Sequence, residues 1–589
     1  MSSPAPAKLP NAEAVPSRVG AILFGMKAWL LRIHRGVRNL APPLPRKRAD
    51  DKLALPVKIA ESRTPLWTTE SLVERSLQLG KVQNLRIAAH ELHGVVIPAG
   101  QTLSFWRQLG CATQAKGYVS GRELREGCLI PAIGGGLCQL SNALYDAALQ
   151  SGCEIVERHA HSRVVPGSAA EIGRDATVAW NYVDLRFRPK QVIRIEVQLT
   201  AHELIVRFLA AQAIAAISSR VDAPATLPRV LNPIAHTCTD CGLSECFRHI
   251  EPQPLDRPKS AFLLDECWPE FLLYVEEQAS PGDFVAAPAF FGRYGSVRGL
   301  SAKVRLHSTS TPALWRAIRM RAASTVPWRV EAQLKGSRQI ADAMARDLPF
   351  EATHIVIAQS LLPSLWQSGV LGGRTFDVLM TRMPLAQVHS LLDDASALNP
   401  ERKTLREYRA PQALVEAEQE ALAAARRIVT PHAAVAALFG DRAVHLPWSL
   451  PKVGRVQPGP MVVFPGPTVA RKGALALRSA LVTLNCDLMI LARNLEQPDF
   501  WEGVNVVPRA EDWLEHAGVV VQPALLEDNP RPLLRAVAAG IPVICTSNCG
   551  LGNLPGVTTL EFGNVEQLRT ALTAALADTD ACKCQSENQ

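Results

Sequence analysis

The chain has 589 residues, of which 47% are hydrophobic and 20% are charged, enough for about three or four domains with substantial cores. Its net charge of +8 is concentrated in residues 1–60, which carry 11 basic and 3 acidic side chains, while the other 529 residues carry 52 of each sign. This distribution excludes a broad nucleic-acid-binding surface, because such a surface needs clustered positive charge on a folded domain.

The cysteines and the N-terminus indicate a reducing compartment. The 13 cysteines are odd in number and mostly scattered, which is not typical of a disulfide framework. No apolar segment followed by a cleavage site opens the chain, and no uncharged apolar run is long enough to span a bilayer. The sequence therefore predicts a cytoplasmic protein.

Residues 1–60 are predicted to be a basic arm that is disordered apart from one helix. Residues 1–18 are rich in Pro, Ala and Ser, and a Pro-rich, charged linker follows residue 40. Between them, residues 19–40 have the pattern of an amphipathic helix. Its apolar face comprises Ile22, Met26, Trp29, Leu30, Ile33, Val37 and Leu40, and its basic face Lys27, His34, Arg35 and Arg38. Such a helix either lies on the anionic inner face of the cytoplasmic membrane or docks on the first folded domain.

A mixed α/β domain is predicted over residues 62–210. Residues 71–94 have a helical pattern, residues 175–187 alternate like a strand, and residues 191–210 indicate two strands joined by a short turn.

Within this domain, three glycines lead into a cysteine in the segment "IGGGLCQLSNALYDAAL". Gly134–Gly136 permit backbone conformations and close approaches that other residues do not. Cys138 then falls in the first turn of a predicted helix, where the helix dipole and free N–H groups favour a thiolate. The same N–H groups are suited to hold an oxyanion. Cys138 is therefore a candidate nucleophile.

Candidate partners for Cys138 follow in the next segment, "EIVERHAHSR". His159 and His161 alternate on a predicted strand and are both candidate bases, with Asp175 or Asp184 as the orienting carboxylate. Glu157 and Arg158 are candidate substrate contacts. The alternatives are a binding cleft lined by the same residues, a zinc site formed by Cys138, His159 and His161, and a small buried thiol.

These motifs carry a family resemblance. The segments "AGQTLSFWRQLG", "GYVSGRELREGCLIPAIGGGLCQLSNALYDAAL", "EIVERHAHS" and "GRDATVAWNYVDLRF" resemble the VanW family over about residues 62–210. That family is named for an accessory gene of vancomycin-resistance clusters. The resemblance implies a cell-envelope context, and it supplies no reaction.

A metal site is predicted in the segment 232–252, which links the two halves of the chain. Cys238, Cys241, Cys246 and His249 have the spacing C-x2-C-x4-C-x2-H, which supplies four soft ligands for a structural zinc ion. An iron–sulfur cluster and a turn with free thiols are the alternatives.

From residue 259 onward, short apolar strands alternate with helical stretches. The pattern is typical of parallel sheets with crossover helices, and it predicts two doubly wound Rossmann-like domains, at 259–430 and 431–580. In the second, Pro530 suits the start of a helix and Gly540 its end, which places Glu527 in a loop before a helix N-terminus.

This half resembles GT-B glycosyltransferases of the family 4 type. The segments that carry the resemblance are "FPGPTVARKGALALRSAL", "EQEALAAARRIVTPH" and "LLEDNPRPLLRAVAAGIPVI". The resemblance implies that Glu527 contacts the donor sugar and that Lys472, helped by Arg471, contacts the diphosphate of a nucleotide sugar. Asn529, Pro530 and Leu533 would line the nucleotide pocket.

Two positions depart from the family pattern, since Arg535 replaces the second acid of E-x7-E and Pro467 the arginine of the diphosphate loop. Candidate acceptor contacts are His354 and Arg374. The combined prediction is a VanW-like domain joined to a glycosyltransferase-like module that moves a sugar to an envelope glycan or lipid. The alternatives are a non-catalytic binder of glycan or peptidoglycan precursors and a Cys–His hydrolase or transferase.

Overall fold

The computed structural model describes two compact units. The described residues are 17–38, 46–50, 53–68, 72–125, 128–161, 173–213, 246–248, 259–265, 268–288, 304–484, 486–492 and 495–586. The first unit comprises the residues before Lys259, together with residues 349–353 and 368–374, and the second comprises the rest. None of the helices in the described part combines the length and apolar character that a bilayer crossing requires.

The first unit is the predicted mixed α/β domain, preceded by a helix. Its helices are α1 (Arg18–Arg38), α2 (Leu72–Leu92), α3 (Phe105–Leu109) and α4 (Cys138–Gln150). Its strands are β1 (Val57–Pro65), β2 (Val96–Ile97), β3 (Leu103–Ser104), β4 (Ser120–Arg125), β5 (Cys128–Ile133), β6 (Glu154–Glu157), β7 (Arg186–Arg188), β8 (Ile193–Leu199) and β9 (Glu203–Ala210).

Three small antiparallel sheets surround the core of this domain. The strand orders are β1-β9-β8-β2, β3-β7-β6 and β4-β5. Strand β8 alternates buried and half-buried side chains, as a sheet with one covered face does. The buried faces of α2 and α4 pack with these strands in one cluster that includes Leu85, Leu140, Leu144, Phe187 and Phe208. This cluster fixes the start of α4, where Cys138 lies.

The N-terminal boundary of this domain differs from the prediction. Strand β1 starts at Val57 and pairs with β9 along its whole length, so the arm predicted to end at residue 60 ends before Val57. The strand predicted at residues 175–187 is an irregular segment up to Leu185, and only Arg186–Arg188 form a strand. Its backbone groups serve the site described below instead of a sheet.

The second unit contains two parallel sheets with helices between their strands. The strands of the first sheet are β10 (Lys259–Leu263), β11 (Phe284–Ala287), β12 (Arg305–Ser308), β13 (Ala352–Ala358), β14 (Thr375–Leu379), β15 (Arg427–Thr430) and β16 (Ala443–His445). Those of the second are β17 (Met461–Phe464), β18 (Leu488–Ile490), β19 (Val506–Val507), β20 (Ala517–Gln522), β21 (Val543–Thr546) and β22 (Val557–Leu560).

The helices of this unit alternate with those strands. They are α5 (Pro269–Gln278), α6 (Ser310–Ala322), α7 (Val326–Asp347), α8 (Leu362–Gln367), α9 (Leu385–Leu398), α10 (Gln412–Ala424), α11 (Ala433–Phe439), α12 (Ala474–Leu481), α13 (Trp513–His516), α14 (Arg531–Ala539) and α15 (Val565–Ser586).

Both sheets have the strand order of a doubly wound fold. The first runs β12-β11-β10-β13-β14-β15-β16, and the second runs β19-β18-β17-β20-β21-β22 with parallel pairing throughout. Each chain path therefore starts in the middle of its sheet, extends to one edge and then returns to build the other. The predicted tandem of Rossmann-like domains is confirmed. Strand β16 pairs with β15, so the first sheet extends to His445 and not to residue 430 as predicted.

Candidate functional site

The three glycines before Cys138 form a turn that only glycine fits. Gly134 and Gly136 have φ values of 77° and 96°, in the left-handed region that favours glycine. A Cβ atom on Gly135 would lie 2.4 Å from the carbonyl carbon of Gly121 in β4, so this position needs glycine for space. The turn therefore lies directly against β4, and it delivers the chain into α4 at Cys138.

Two buried polar residues of α2, which the sequence pattern did not indicate, hold this turn. The Asn84 side-chain amide donates to Gly135 O at 2.9 Å and to Val119 O at 3.0 Å, and its oxygen accepts from Val119 N at 2.9 Å. The Lys81 stem packs over Gly136, where it occupies the space of a Cβ atom. Burial, and to a lesser extent the charge of Arg122, lower the pKa of Lys81 to about 7.

Cys138 is the first residue of α4 and is half-buried. Its Sγ lies 3.8 Å from Thr177 Oγ1 and 3.8 Å from Val178 O, both in the irregular segment before β7. The side chain of His161 also acts on the thiol, whose pKa it lowers. The thiol therefore meets a base on one side and the dipole of the first helical turn on the other.

His161 is oriented by Asp175. The Nδ1 atom of His161 lies 3.0 Å from Asp175 Oδ2, and the main-chain N–H of His161 donates to the same oxygen at 2.7 Å. This double contact fixes both the backbone and the ring of His161. The other ring nitrogen is then available to Cys138, which is the arrangement of a nucleophile, a base and an orienting acid.

A third contact fixes Asp175 itself. Arg158 Nη2 donates to Asp175 Oδ1 at 2.6 Å, and Arg158 Nε donates to the main-chain oxygen of Asp175 at 2.7 Å. The Arg158 guanidinium also lies 5.2 Å from the ring centre of Tyr145 in α4. Arg158, named above as a candidate substrate contact, therefore contacts the orienting carboxylate.

The electrostatics of the three side chains favour a thiolate–imidazolium pair. Burial raises the pKa of Cys138, but the hydrogen bond and the charge of His161 outweigh it and hold the pKa below the ordinary 9.0. Burial lowers the pKa of His161, yet hydrogen bonds to Asp175 and Cys138 raise it to about 9. Burial raises the pKa of Asp175, and the hydrogen bonds from His161 bring it below its ordinary value.

The structure separates the two candidate histidines and the two candidate acids. Strand β6 ends at Glu157, so the predicted alternation does not reach the histidines, and His159 is exposed with its Nε2 3.3 Å from Glu157 Oε1. Asp184 accepts from Ser104 Oγ at 2.6 Å and from Arg186 Nε at 2.8 Å, a structural role at the start of α3.

The alternative of a zinc site formed by Cys138, His159 and His161 has no support in the structure. Within the described ranges, no group of three or more His, Cys, Asp or Glu side chains is placed to hold a metal ion. The structure does not test the metal site predicted in the linker. Of its four ligands only Cys246 lies within the described residues, whereas Cys238, Cys241 and His249 lie outside them. The zinc site of the linker therefore stays a prediction.

A second site lies at the switch point of the second sheet. Lys472 follows β17 and Glu527 follows β20, and these two strands are neighbours from which the chain runs in opposite directions. Ligands of doubly wound sheets bind in the crevice at such a point. Lys472 Nζ lies 2.9 Å from Glu527 Oε2 and donates to Leu526 O at 2.8 Å, so the structure brings these two predicted site residues together.

The other predicted donor-site residues have different surroundings. Asn529 N donates to Glu527 Oε1 at 3.1 Å, and Pro530 is the N-cap of α14. The guanidinium carbon of Arg471 lies 4.4 Å from the ring centre of Tyr408, and Leu533 is buried in the hydrophobic core. Only Asn529 therefore joins the Lys472–Glu527 pair through a direct hydrogen bond.

His432 is a neighbour of this pair that the sequence pattern did not reveal. It is 1% exposed, its Nε2 lies 3.2 Å from Glu527 O, and burial lowers its pKa. It follows the strand β15 of the first sheet, so it connects the two sheets at the loop that carries Glu527. A buried histidine after a strand has no periodic signal, and only the tertiary contact identifies it.

A second connection between the two sheets was also missed. Arg531, the first residue of α14, donates to both carboxylate oxygens of Glu270 in α5, at 2.9 and 2.7 Å. Its guanidinium lies 5.1 Å from the ring centre of Trp268 and 5.4 Å from that of Trp448. Such paired, stacked arginines hold two elements in a fixed orientation.

The two candidate acceptor contacts have structural partners. Arg374 is buried and donates to three main-chain oxygens, those of Ala352, Pro349 and Val370, and burial lowers its pKa to about 9. His354 Nδ1 lies 3.0 Å from Thr375 Oγ1, and its Nε2 lies 3.4 Å from Asp377 Oδ2. Arg374 therefore has no surface for an acceptor, which corrects that prediction.

Comparisons with known proteins agree with the division of the chain. The family described as VanW like protein matches residues 80–209. The uncharacterized protein YoaR of Bacillus subtilis (strain 168) is 32% identical over 152 residues, which are 25% of this chain and 50% of YoaR. The vancomycin B-type resistance protein VanW of Enterococcus faecalis (strain ATCC 700802 / V583) is 34% identical over 139 residues, 23% of this chain and 50% of VanW. The chain thus spans half the length of each relative.

Among solved structures, the chain is similar to glycosyltransferases over about half of its length. The match with WaaG, a glycosyltransferase involved in lipopolysaccharide biosynthesis, covers 54% of this chain and 90% of the WaaG chain, with 15% identity and a TM-score of 0.34. The match with Anabaena Alr3699/HepE in complex with UDP and glucose covers 55% of this chain and 91% of the HepE chain, with 13% identity and a TM-score of 0.32. We refer to the mixed α/β domain, whose residues 80–209 match the VanW family model, as the VanW domain, and two doubly wound domains follow it in the same chain.

Proposed function

We propose that Cys138, His161 and Asp175 form a catalytic triad for acyl transfer in the VanW domain. The observation that carries the proposal is the position of His161, which is held by Asp175 through both ring and backbone and lowers the pKa of Cys138. The three residue types match the roles of nucleophile, general base and orienting acid.

The reaction follows from the charge state of the pair. The thiolate of Cys138 attacks the carbonyl carbon of an ester or amide, and the C–S bond forms while the bond to the leaving group breaks. His161 donates its proton to that leaving group. Water or an amine then attacks the thioester, gives its proton to His161 and releases Cys138 as a thiolate. The N–H groups of Gln139 and Leu140 donate to Gly136 O and Leu137 O, at 3.1 Å each. The main-chain N–H of Cys138, which precedes these bonds, is the group suited to bind the carbonyl oxygen in both steps.

The test uses p-nitrophenyl acetate, a probe that any activated acyl-transfer thiol attacks. Wild-type protein should release p-nitrophenol with an initial burst, and mass spectrometry should locate the acetyl group on Cys138. Cys138→Ala should remove the burst, and His161→Gln should slow it by about 100-fold or more, the usual contribution of a general acid–base catalyst. Cys153→Ala is the matched control, since Cys153 is buried and its pKa is raised. A burst that survives Cys138→Ala contradicts the proposal.

We further propose that the GT-B half binds a nucleotide sugar and transfers the sugar to a glycan or lipid of the cell envelope. The support is the meeting of Lys472 and Glu527 at the switch point between β17 and β20. A lysine there is suited to a diphosphate, and a carboxylate to sugar hydroxyls. The resemblance to family 4 enzymes assigns the same roles to these two residues.

Thermal unfolding with UDP-glucose tests this second activity. A donor present at 100 times its Kd should stabilise the protein by about 2.7 kcal/mol, and Lys472→Met should remove that shift. Lys452→Met is the control, because Lys452 is exposed in the same domain. If no nucleotide sugar raises the melting temperature, the half is a degenerate transferase fold. The loss of the second acid at Arg535 and the neutralising Lys472–Glu527 pair would then have removed donor binding.

A further inference from the structure

Helix α1 exposes its apolar face. Eight large apolar side chains occupy a stripe of about 120° along the helix, given about 3.6 residues per turn. They are Val19, Ile22, Leu23, Met26, Trp29, Leu30, Ile33 and Val37, and all of them are exposed. Trp29, near the middle of α1 along its length, is 60% exposed. A contiguous apolar patch of this kind on a folded domain marks an interaction surface.

The opposite side of α1 is attached to the VanW domain by polar contacts. Arg35 forms an ion pair with Glu157, and Arg32 Nε donates to Trp180 O at 3.2 Å. Asn181 Nδ2 donates back to Arg32 O at 3.0 Å, and Ala28 is the buried residue of the helix. The predicted docking on the first domain therefore occurs, but through the polar side, which leaves the apolar stripe pointing away from the domain.

All charged side chains of α1 are positive. The helix contains Arg18, Lys27, Arg32, Arg35 and Arg38 and no acidic residue. Lys27, His34 and Arg38 are exposed and follow one edge of the apolar stripe, and Arg18 lies at the other edge. An apolar stripe with cationic edges complements a surface that is apolar inside and anionic outside, as an acidic bilayer is.

A second copy of the chain is a poorer occupant of the stripe. Two such helices packed face to face would bring Lys27 and Arg38 of one copy against the cationic edges of the other. An anionic headgroup layer neutralises these charges instead. We propose that α1 is an in-plane membrane-binding helix, which inserts its stripe into an anionic lipid surface and holds the VanW domain there through Arg32 and Arg35. The inference does not depend on the proposed catalytic activities.

Co-sedimentation of the full chain with lipid vesicles tests this inference. The protein should sediment with vesicles of equimolar phosphatidylcholine and phosphatidylglycerol, and binding should fall at high salt because screening weakens the attraction of the cationic edges. Trp29→Glu should weaken binding at least about tenfold, since an aromatic side chain that inserts into the lipid is replaced by a charge. Lys27→Glu should weaken binding to the acidic vesicles and leave the weak binding to pure phosphatidylcholine unchanged.

The control is Trp315→Glu in α6, because Trp315 is similarly exposed on a helix of the other unit. It should bind as wild type does, and both tryptophan variants should keep the wild-type melting temperature. Failure of the wild-type protein to sediment with acidic vesicles would overturn the inference, as would unchanged binding of Trp29→Glu. Sedimentation velocity without vesicles tests whether a second copy of the chain packs on the stripe instead. A wild-type dimer that Trp29→Glu converts to a monomer would assign the stripe to a second copy and also overturn the inference.

Discussion

Replacement of His161 by glutamine is expected to slow the alkylation of Cys138 by iodoacetamide about 10- to 100-fold at pH 7, because only the thiolate reacts. In the wild-type protein burial raises the pKa of Cys138, but the hydrogen-bonding and charge effects of His161 outweigh burial and hold that pKa below 9.0. Glutamine retains a hydrogen-bonding group but not the charge, so burial then dominates and the thiol pKa rises. Peptide mass spectrometry of Cys138 at timed intervals measures the rate.

The pH dependence of the alkylation rate shows whether His161 acts by lowering the pKa of Cys138. The pKa of His161 is raised to about 9, so the imidazolium accompanies the thiolate up to that pH. The wild-type rate should reach its plateau at a lower pH than the rate of His161→Gln. His159→Gln is the matched control, because His159 contacts Glu157 and not the thiol. Equal profiles for wild type and His161→Gln would show that the histidine does not activate Cys138.

Gly135→Ala is expected to destabilise the VanW domain by about 3 kcal/mol, the upper range for forcing an extra methyl group into a packed site. The added Cβ would lie 2.4 Å from the carbonyl carbon of Gly121, a backbone atom of β4 that cannot move without disturbing the β4–β5 pair. Chemical unfolding followed by circular dichroism measures the loss. The alkylation of Cys138 should change in the same variant, because the turn sets the start of α4.

Gly100→Ala is the comparison for this variant. Gly100 has a φ of 71°, but a Cβ atom added to it would meet no other atom within 4 Å, so its replacement adds backbone strain without a steric clash. The expected cost is about 1 kcal/mol, and Cys138 should keep its reactivity. If Gly135→Ala costs no more than Gly100→Ala, the close approach to β4 does not determine the turn.

The parallel sheets could be predicted from sequence because their strands are buried on both faces. Short apolar runs such as Val519–Val521 indicate strands without any knowledge of their neighbours, and their order along the chain gives the doubly wound type. The last strand of the first sheet, Ala443–His445, was missed because it is a three-residue edge strand that is at most half-buried. Its pairing with β15 is visible only in the folded chain.

The candidate triad was predictable as a set of residue types and not as an arrangement. The glycine turn and helix pattern identified Cys138, but the choice of His161 depends on contacts with Asp175, 14 residues later in the chain. No periodicity describes the residues that follow Asp175, because the main-chain oxygens of Ala176 and Val178 contact Ser141 and Cys138 instead of a neighbouring strand. Asn84 and Lys81 were missed for a similar reason, since polar residues on a buried helix face have no distinct pattern.

The pairing of β1 with β9 affects how the VanW domain folds and how readily it can be joined to other domains. The first and last strands of the domain are direct neighbours from Val57–Ala210 to Pro65–Glu203, so its two ends emerge side by side. A ribosome must therefore synthesise the domain to its end before its main sheet can close, and contacts of such long sequence separation slow folding. Adjacent ends also let a domain be joined to new neighbours without disturbing its core. The VanW domain is in this sense a portable module, placed here before two sheet domains.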